Sequence, residues 1–443
     1  MKINYKKEWN NLLNIANDIL IKIKKKNIQA EIKININNNL LTHINMGMIN
    51  EIKYNNNKMM IINIYKNNSK ATIFTSDFNK KSLINLINTE INITKNSKKN
   101  DYEIPYNKNK NLNYNLNIYH PKNNILNNLM EYNKKYKKYF FYNNIINLNN
   151  YNFEMNDNFK IYCNTNNFFI SYPSSMYLLY SKIILQNKEK IKNYYKYIKI
   201  RDLNDIDNIL NKKYIENLSN KNIIKNLLKH KIKPSIQPII LSSNIASIFL
   251  NNFIKAIYGY NIYNKKSFLS NYLNKKIFSK NITIYEEPHI KKAIGSKPFD
   301  EEGINTQFKL IVKNGYLKNY LLDTYYSKKL NMKNTGNSGG ISNIIISNDN
   351  ITLKNLIKNI NKGILVTELF ENETNIISGI YSYEIFGYLI NKGIIEYSIQ
   401  KAIITGNFLE TFLNIIYISN DINNYEKIQT GSILINNVKI NNI

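Results

Sequence analysis

The N-terminal part of the chain alternates between helical and strand-like spacing of its apolar residues. Leu12, Ala16 and Ile19 are among the apolar positions that recur every three or four residues near 4–25, which predicts an amphipathic first helix. Short alternating runs then predict strands at 30–36, 50–55, 59–65 and 71–75, and a helix is predicted at 79–90. This pattern is typical of a small α/β unit.

The middle of the chain has a weaker pattern. Residues 95–118, which are rich in Lys, Asn and Tyr and include Pro105, are predicted to be a connecting loop. The elements predicted after the loop are a helix, two strands and a long polar helix, at 124–139, 159–163, 167–172 and 187–229. We therefore expect a second α/β unit.

The last part of the chain turns to strands and hairpins. Pro234 and Pro238 mark a boundary, after which a buried strand at 238–241 and an apolar helix at 244–258 are predicted. Strand pairs at 308–312 with 316–324, and at 388–390 with 394–399, flank Asn-Gly and Lys-Gly turns and predict β-hairpins. A late helix at 407–416 and a closing strand at 432–435 follow.

These elements predict an α+β fold in which small N-terminal α/β units precede a β-rich C-terminal domain. The expected domains are 1–112, an α/β domain with its linker, 113–233, a middle α/β domain, and 234–443, the β-rich domain. A chain of 443 residues with 43% hydrophobic residues is long enough and apolar enough to build two or three such cores.

Composition indicates a cytoplasmic protein with no membrane partner. The longest apolar stretch, 236–257, is interrupted by polar residues such as Gln237, Asn251 and Lys255, so it does not predict a membrane span. The start of the chain has no apolar signal core, and the single cysteine, Cys163, excludes an internal disulfide framework.

The formal charge of +30 raises the alternative of a basic nucleic-acid-associated protein. Arg201 is the only arginine, however, and specific phosphate or base recognition favours the planar, bidentate donors of arginine. The excess of Lys, Asn, Ile and Tyr is what AT-rich codons encode. Specific nucleic-acid binding is therefore not expected.

Glycine is placed unevenly along the chain. Of the 14 glycines, 12 follow residue 290. Codon drift toward AT-rich triplets removes glycine, so this last third is predicted to contain turns and close backbone contacts that only glycine tolerates.

The sequence offers no local catalytic or zinc motif. His43, His120, His230 and His289 are the only histidines, and none lies three or four residues from another, so neither His-Glu-x-x-His nor His-Glu-x-x-x-His is present. Cys163 follows a strand pattern, which predicts a buried, inert thiol. No catalytic residue is assigned.

Two constellations nevertheless stand out. The first joins Glu286-Glu287-Pro288-His289 with a later acidic segment, in which Asp300, Glu301 and Glu302 are expected to form a solvated turn. The second is the glycine-rich loop Asn334-Thr335-Gly336-Asn337-Ser338-Gly339-Gly340. Such a loop can present backbone N–H groups to an anion or a peptide carbonyl, although most such loops are ordinary turns.

The order of six motifs resembles the PmbA/TldE branch of the TldD/PmbA metallopeptidase family over residues 28–443. The stretches that carry the resemblance are Ile282-Thr283-Ile284-Tyr285-Glu286-Glu287-Pro288-His289, Lys297-Pro298-Phe299-Asp300-Glu301-Glu302-Gly303, Thr335-Gly336-Asn337-Ser338-Gly339-Gly340, Gly363-Ile364-Leu365-Val366-Thr367-Glu368-Leu369, Gly387-Tyr388-Leu389-Ile390-Asn391-Lys392-Gly393 and Ile404-Thr405-Gly406-Asn407.

The resemblance implies that the zinc site has been lost from this chain. In the zinc-bearing TldD branch, the helix after the buried strand carries His-Glu-x-x-x-His, and a later cysteine completes the site. The corresponding positions here are Leu250, Asn251 and Lys255, and no cysteine follows Cys163. Neither leucine nor protonated lysine binds zinc. The resemblance therefore implies no cofactor in this chain, and zinc in a partner.

The function implied by the resemblance is that of a non-catalytic subunit in a cytosolic TldD/TldE-type metallopeptidase. It would pair with a TldD-like zinc peptidase subunit and wall a chamber in which unfolded peptides or leader segments are hydrolysed. The chamber residues expected on this chain are Thr335, Gly336, Asn337, Gly339 and Gly340. The glycine loop departs from the usual branch pattern, because Asn337 and Ser338 stand where His-Ala is common. A stand-alone binding or scaffold protein is the non-enzymatic alternative.

Overall fold

A computed structural model describes residues 5–45, 48–96, 101–105, 114–122, 146–187, 190–206, 229–399 and 401–442. The N-terminal part is a six-stranded antiparallel sheet with two helices, α1 (Tyr5–Lys24) and α2 (Lys80–Asn96). The strands are β1 (Gln29–Asn45), β2 (Met48–Lys66), β3 (Ser69–Thr75), β4 (Ile146–Asn164), β5 (Phe168–Asn187) and β6 (Lys190–Ile200), in the spatial order β3-β2-β1-β4-β5-β6.

The sheet forms because its strands alternate apolar and polar residues. Ile32, Ile34 and Ile36 of β1 point to one face and are buried in a core cluster with apolar residues of α1 and α2. The predicted first and second helices are confirmed. The predicted strands are confirmed but longer in the structure, and the two runs predicted at 50–55 and 59–65 form the single strand β2.

Two expectations for the middle of the chain have different outcomes. The long polar helix predicted at 187–229 is wrong for residues 190–200, which form β6 and pair with β5 along their whole length. This segment combines lysines with Ile and Tyr, and those residue types are common in strands at the edge of a sheet. Residues 203–205 of that predicted helix form a short 3-10 helix, whereas residues 207–228 and the helix predicted at 124–139 lie outside the described residues.

The predicted domain boundary between residues 112 and 113 stays a prediction. Strands from both sides of it belong to one sheet, since β1 pairs with β4 from Glu31 opposite Asn164 to Asn45 opposite Asn150. β1 therefore lies at the centre of the N-terminal sheet, with β2 on its other side.

The C-terminal part is rich in strands, which confirms the predicted α+β fold class. Its helices are α3 (Ser243–Ala256), α4 (Gly259–Tyr263), α5 (Thr324–Lys329), α6 (Leu353–Lys358) and α7 (Phe408–Leu413). Its strands are β7 (Lys229–His230), β8 (Ser235–Leu241), β9 (Ile284–Glu286), β10 (Lys309–Lys313), β11 (Tyr316–Leu317), β12 (Ile344–Ile346), β13 (Lys362–Thr374), β14 (Ile380–Asn391), β15 (Ile394–Ile399), β16 (Ala402–Asn407), β17 (Ile415–Ile418), β18 (Ile428–Gln429) and β19 (Ile433–Asn442).

These strands form two sheets around one large core. The smaller sheet has the order β11-β10-β9-β12-β18, and the larger has the order β13-β8-β19-β16-β14-β15-β7. Because β13 also pairs with β14, the strands β13, β8, β19, β16 and β14 form a closed circuit. Phe249 of α3 packs against Tyr381 and Phe408, with ring centroids 5.4 Å apart in both pairs.

The hairpin turns have the backbone that their sequences predict. Asn314 and Gly315 between β10 and β11 have φ of 49° and 82°, and Lys392 and Gly393 between β14 and β15 have φ of 46° and 73°. Two consecutive positive φ angles match the right-handed twist of the flanking strands.

Among the helices that the structure describes, none is both long enough and apolar enough to cross a membrane.

Candidate functional site

The helix α3, on which the resemblance places a lost zinc motif, has a buried and an exposed face. Leu250 is buried, with 2% of its surface exposed, whereas Asn251 is half-buried and Lys255 is exposed. The exposed face repeats at helical spacing through Asn244, Ile248, Asn251 and Lys255. A buried aliphatic side chain and an exposed lysine ammonium cannot coordinate zinc, so these residues do not fit that metal.

No alternative metal site takes its place in the described part of the chain. Those residues contain no group of three or more His, Cys, Asp or Glu side chains that could hold a metal ion. Cys163 lies in β4, where its thiol contacts the Ile32 carbonyl oxygen at 3.8 Å, and burial raises the pKa of the thiol to about 12. A protonated, enclosed thiol is neither a ligand nor a nucleophile at neutral pH. That this chain carries no cofactor stays a prediction.

The glycine-rich loop is held by its own side chains. Thr335 Oγ1 accepts from the Leu322 amide at 2.6 Å and donates to the Leu322 carbonyl at 3.0 Å. Gly336 is buried, and its amide donates to Asn334 Oδ1 at 2.7 Å. These bonds attach the first half of the loop to the segment that leads into α5.

Asn337 joins this loop to a buried ion pair. Its Nδ2 donates to both carboxylate oxygens of Glu286, at 3.1 and 3.0 Å, and its Oδ1 accepts from Lys309 Nζ at 3.0 Å. Glu286 and Lys309 themselves lie 2.5 Å apart, and the Ser342 amide donates to Glu286 at 2.5 Å. A buried carboxylate needs such partners to offset its lost hydration.

The two carboxylates at 300 and 301 have different partners, and the expectation of a solvated turn is wrong. Asp300 is buried and accepts from the amides of Glu302, Ile304 and Ser338 at 2.8, 3.0 and 3.0 Å. Burial nevertheless raises its pKa to about 6. Glu301 pairs with Lys160 of β4, so this residue links the glycine-loop region to the N-terminal sheet.

Glu302 is half-buried and has a different partner from Glu301. It accepts from the Thr324 amide at 2.9 Å and from the Thr324 hydroxyl at 2.6 Å. Burial and the neighbouring Asp300 carboxylate raise the pKa of Glu302 to about 8. The segment 300–302 thus anchors the loop, α5 and the N-terminal sheet to one another.

The predicted chamber residues divide into two groups. Gly336 and Asn337 are buried, whereas Thr335 and Gly340 are half-buried and Gly339 is exposed. Asn337 directs its amide into the Glu286–Lys309 pair and not toward solvent. Only the Gly339 end of the loop is therefore openly available to another molecule.

Sequence reasoning did not identify Arg201 as a structural residue. Its Nη1 donates to the Ser175 carbonyl at 3.0 Å, Nη2 to the Ile294 carbonyl at 2.5 Å and Nε to the Ala293 carbonyl at 3.4 Å. The guanidinium thus connects β5 to the segment that follows β9. Its status as the only arginine was the available signal.

Sequence comparison with known proteins identifies one family. The profile of the PmbA/TldA metallopeptidase C-terminal domain matches residues 234–442. The Metalloprotease PmbA homolog of Buchnera aphidicola (Acyrthosiphon pisum) is 32% identical over 438 residues, which cover 97% of this chain and 98% of that protein. The chain belongs to the PmbA/TldD metallopeptidase family. This identification confirms the resemblance read from the motifs.

Other PmbA/TldD family members are also similar. A Metalloprotease TldD homolog of Buchnera aphidicola (Schizaphis graminum) is 27% identical over 167 residues, 35% of each chain. Among solved structures, TldE of Thermococcus kodakarensis superposes with a TM-score of 0.79 at 18% identity, covering 96% of this chain and all of TldE. A Bacteroides thetaiotaomicron protein described as a candidate modulator of DNA gyrase superposes with a TM-score of 0.84 at 23% identity, with both chains fully covered. At these identities the structures establish a shared fold.

Proposed function

We propose that this chain is the zinc-free subunit of a cytosolic peptidase and pairs with a zinc-bearing TldD-like chain to hydrolyse unfolded peptides. The observation that carries the proposal is the character of α3, where Leu250 is buried and Lys255 is an exposed cation. A metallopeptidase needs at least three metal ligands and an open position for water. A chain that keeps the family fold without them needs a partner for hydrolysis.

The similarity to both PmbA and TldD homologs supports the pairing, because related chains of one fold can bury similar surfaces against each other. In the complex the partner supplies the metal, and this chain supplies walls and strand edges. Permanent complexes of this kind bury on the order of 2,000 Å² or more. Such an interface withstands single changes in an exposed loop.

The test is to purify the chain alone and together with a TldD-like subunit that contains His-Glu-x-x-x-His. We expect no stoichiometric zinc and no cleavage of casein or unfolded peptides by the chain alone. The complex is expected to contain one zinc per pair and to cleave. As a control, replacing the two motif histidines of the partner by alanine should abolish both zinc and cleavage while the pair still co-elutes.

A matched change in this chain completes the design. Lys255→Ala removes the cation from the helix position equivalent to a ligand, and we expect it to leave zinc content and cleavage by the complex unchanged. One tightly bound zinc per isolated chain, with peptidase activity that follows it, would refute the proposal. So would failure of the two chains to associate at micromolar concentration.

A further inference from the structure

One region of this basic protein has the opposite charge. Residues 363–426 contain two lysines, Lys392 and Lys401, against eight carboxylates, in a chain whose formal charge is +30. Residues 363–391, which span most of β13 and all of β14, contain no lysine or arginine and form the longest such run in the sequence. The β13–β14 hairpin is therefore an acidic surface on a cationic molecule.

The hairpin also has an unpaired strand edge. β13 pairs with β8 only through residues 364–366, yet it continues to Thr374 against β14. β8 leaves the sheet at this point and turns into α3 through Ser242, whose amide donates to the Val366 carbonyl at 3.1 Å. Over residues 367–374, no described strand lies on the β8 side of β13. An edge of this kind presents alternate N–H and C=O groups to a further strand.

The side chains along this edge suit a particular kind of ligand. Phe370 is 52% exposed and rests edge-on against Phe386, with centroids 5.9 Å apart. Glu371 and Glu373 are exposed, and neither forms an ion pair with a described residue. In contrast, Glu384 on the neighbouring strand is neutralised by Lys401 at 2.5 Å. The edge thus combines uncompensated negative charge with an exposed aromatic ring.

We propose that the β13 edge, residues 367–374, binds an extended cationic peptide as an added strand. Backbone hydrogen bonds to the edge would provide affinity independent of sequence, and the glutamates would favour lysine or arginine side chains. The edge spans roughly 26 Å, the length of about eight extended residues. This inference deepens the proposed function, on which it rests, by assigning a charge preference to the peptide substrate.

A second copy of the chain fits the same edge less well. Antiparallel pairing of two identical β13 edges about a two-fold axis would place their glutamates near one another, and like charges facing across strands destabilise pairing. Two irregularities in the β13–β14 register, between Val366 and Glu368 and between Glu371 and Glu373, also bend the edge away from a flat, self-pairing geometry.

The test measures binding of fluorescein-labelled decapeptides to the full-length chain alone by anisotropy. Three peptides are compared: one with lysine at alternate positions, one with glutamate at the same positions, and the lysine peptide N-methylated at alternate residues. We expect the lysine peptide to bind at least tenfold more tightly than the glutamate peptide. N-methylation, which keeps the charge but removes backbone donors, should weaken binding at least tenfold.

Matched variants assign the site. Glu371→Gln with Glu373→Gln should reduce affinity for the lysine peptide about tenfold. The control variant, Glu51→Gln with Glu103→Gln, removes the same charge from exposed positions elsewhere. It should change the affinity for the lysine peptide less than twofold. If both double variants weakened binding of the lysine peptide equally, the attraction would be general and electrostatic, and the assignment of the site to the β13 edge would be overturned. Equal binding of the methylated peptide would exclude strand addition.

The remaining outcomes separate this inference from the proposed function. A chain that binds no peptide but still supports cleavage with a zinc-bearing partner would overturn the edge site and leave the pairing intact. Peptide binding without any association with such a partner would overturn the pairing. A concentration-dependent dimer that Glu371→Gln with Glu373→Gln abolishes would assign the edge to a second copy instead, and would also overturn this inference.

Discussion

Arg201 Nη2 lies 2.5 Å from the carbonyl oxygen of Ile294, and this contact joins the N-terminal sheet to the C-terminal part of the protein. Nη1 of the same guanidinium donates to the carbonyl oxygen of Ser175. In a chain where 61 residues are Lys or Arg, this is the single arginine. A lysine ammonium is a point donor and cannot bridge carbonyls on two sides as a planar guanidinium does.

Arg201→Lys is therefore expected to destabilise the protein although it keeps the charge. The carbonyl oxygens of the buried residues Ser175 and Ile294 lose their guanidinium donors, at a cost of about 2–3 kcal/mol. Urea denaturation followed by tryptophan fluorescence measures the effect, because Trp9 lies in α1. Arg201→Met, which also removes the charge, should cost at least as much. Wild-type stability of the lysine variant would show that only charge matters at this position.

The free energy of unfolding should fall as the pH rises, because Glu302 is a carboxyl group with a raised pKa in the folded protein. Burial and the Asp300 carboxylate raise the pKa of Glu302 from 4.5 to about 8. Between these values the folded chain keeps a proton that the unfolded chain has released, so folding takes up a proton and becomes less favourable with increasing pH. Urea midpoints at pH 5, 6.5 and 8 test this. Glu302→Gln keeps an acceptor oxygen for Thr324, and its midpoint should vary less over the same range.

Asn337→Ala tests whether the loop asparagine is structural. Its amide satisfies Glu286 and Lys309 inside the protein, so truncation leaves two buried charged groups with one partner fewer each, at about 1–3 kcal/mol. Asn337→Asp places a second carboxylate beside Glu286, and its loss of stability should shrink toward acidic pH as that pair takes up a proton. Unchanged stability of Asn337→Ala, with reduced peptide cleavage by the complex, would instead assign Asn337 to the chamber.

Gly339→Val should disturb the exposed end of the loop. Gly339 has φ of 77°, and a Cβ there would lie 2.1 Å from Glu301 Cγ, so the variant is strained and displaces the side chain that pairs with Lys160. We expect a local cost of about 1–3 kcal/mol, intact pairing with a zinc-bearing partner, and cleavage reduced up to roughly a hundredfold. Co-purification and a peptide assay measure both.

Ser338→Val is the control for this variant, because its φ is not positive. It should leave both pairing and cleavage near the wild-type level. Full cleavage by Gly339→Val in an intact complex would show that the loop is an ordinary turn and would remove the chamber assignment of Thr335, Gly336, Asn337, Gly339 and Gly340.

The sequence by itself determined the features that depend on neighbouring residues. Period-two and period-3.6 patterns predicted β8 and α3, and turn residues such as Gly315 and Gly393 predicted where the C-terminal hairpins reverse. The strand predicted at 316–324 is wrong beyond Leu317, where β11 ends. The residue types at Leu250 and Lys255 were enough to exclude zinc ligands on α3, because ligand chemistry does not depend on the fold.

The sequence predicted secondary structure less well where a segment pairs with a distant strand. The helix predicted at 187–229 included residues 190–200, which pair with β5 instead. Hydrogen bonds to a neighbouring strand outweighed the local preference. Pairing partners of this kind are supplied by distant residues, so periodicity within one segment does not identify them.

Only the tertiary structure decided which polar residues are buried and which residues they contact. Asp300 and Glu302 were expected in a solvated turn, but the fold buries Asp300, half-buries Glu302 and supplies backbone amides and Thr324 as donors. Asn337 meets Glu286, 51 residues away in the sequence, and Arg201 meets carbonyl groups from two distant segments. Composition and spacing cannot specify such contacts, because a buried charge is stable only where the completed fold brings its partners together.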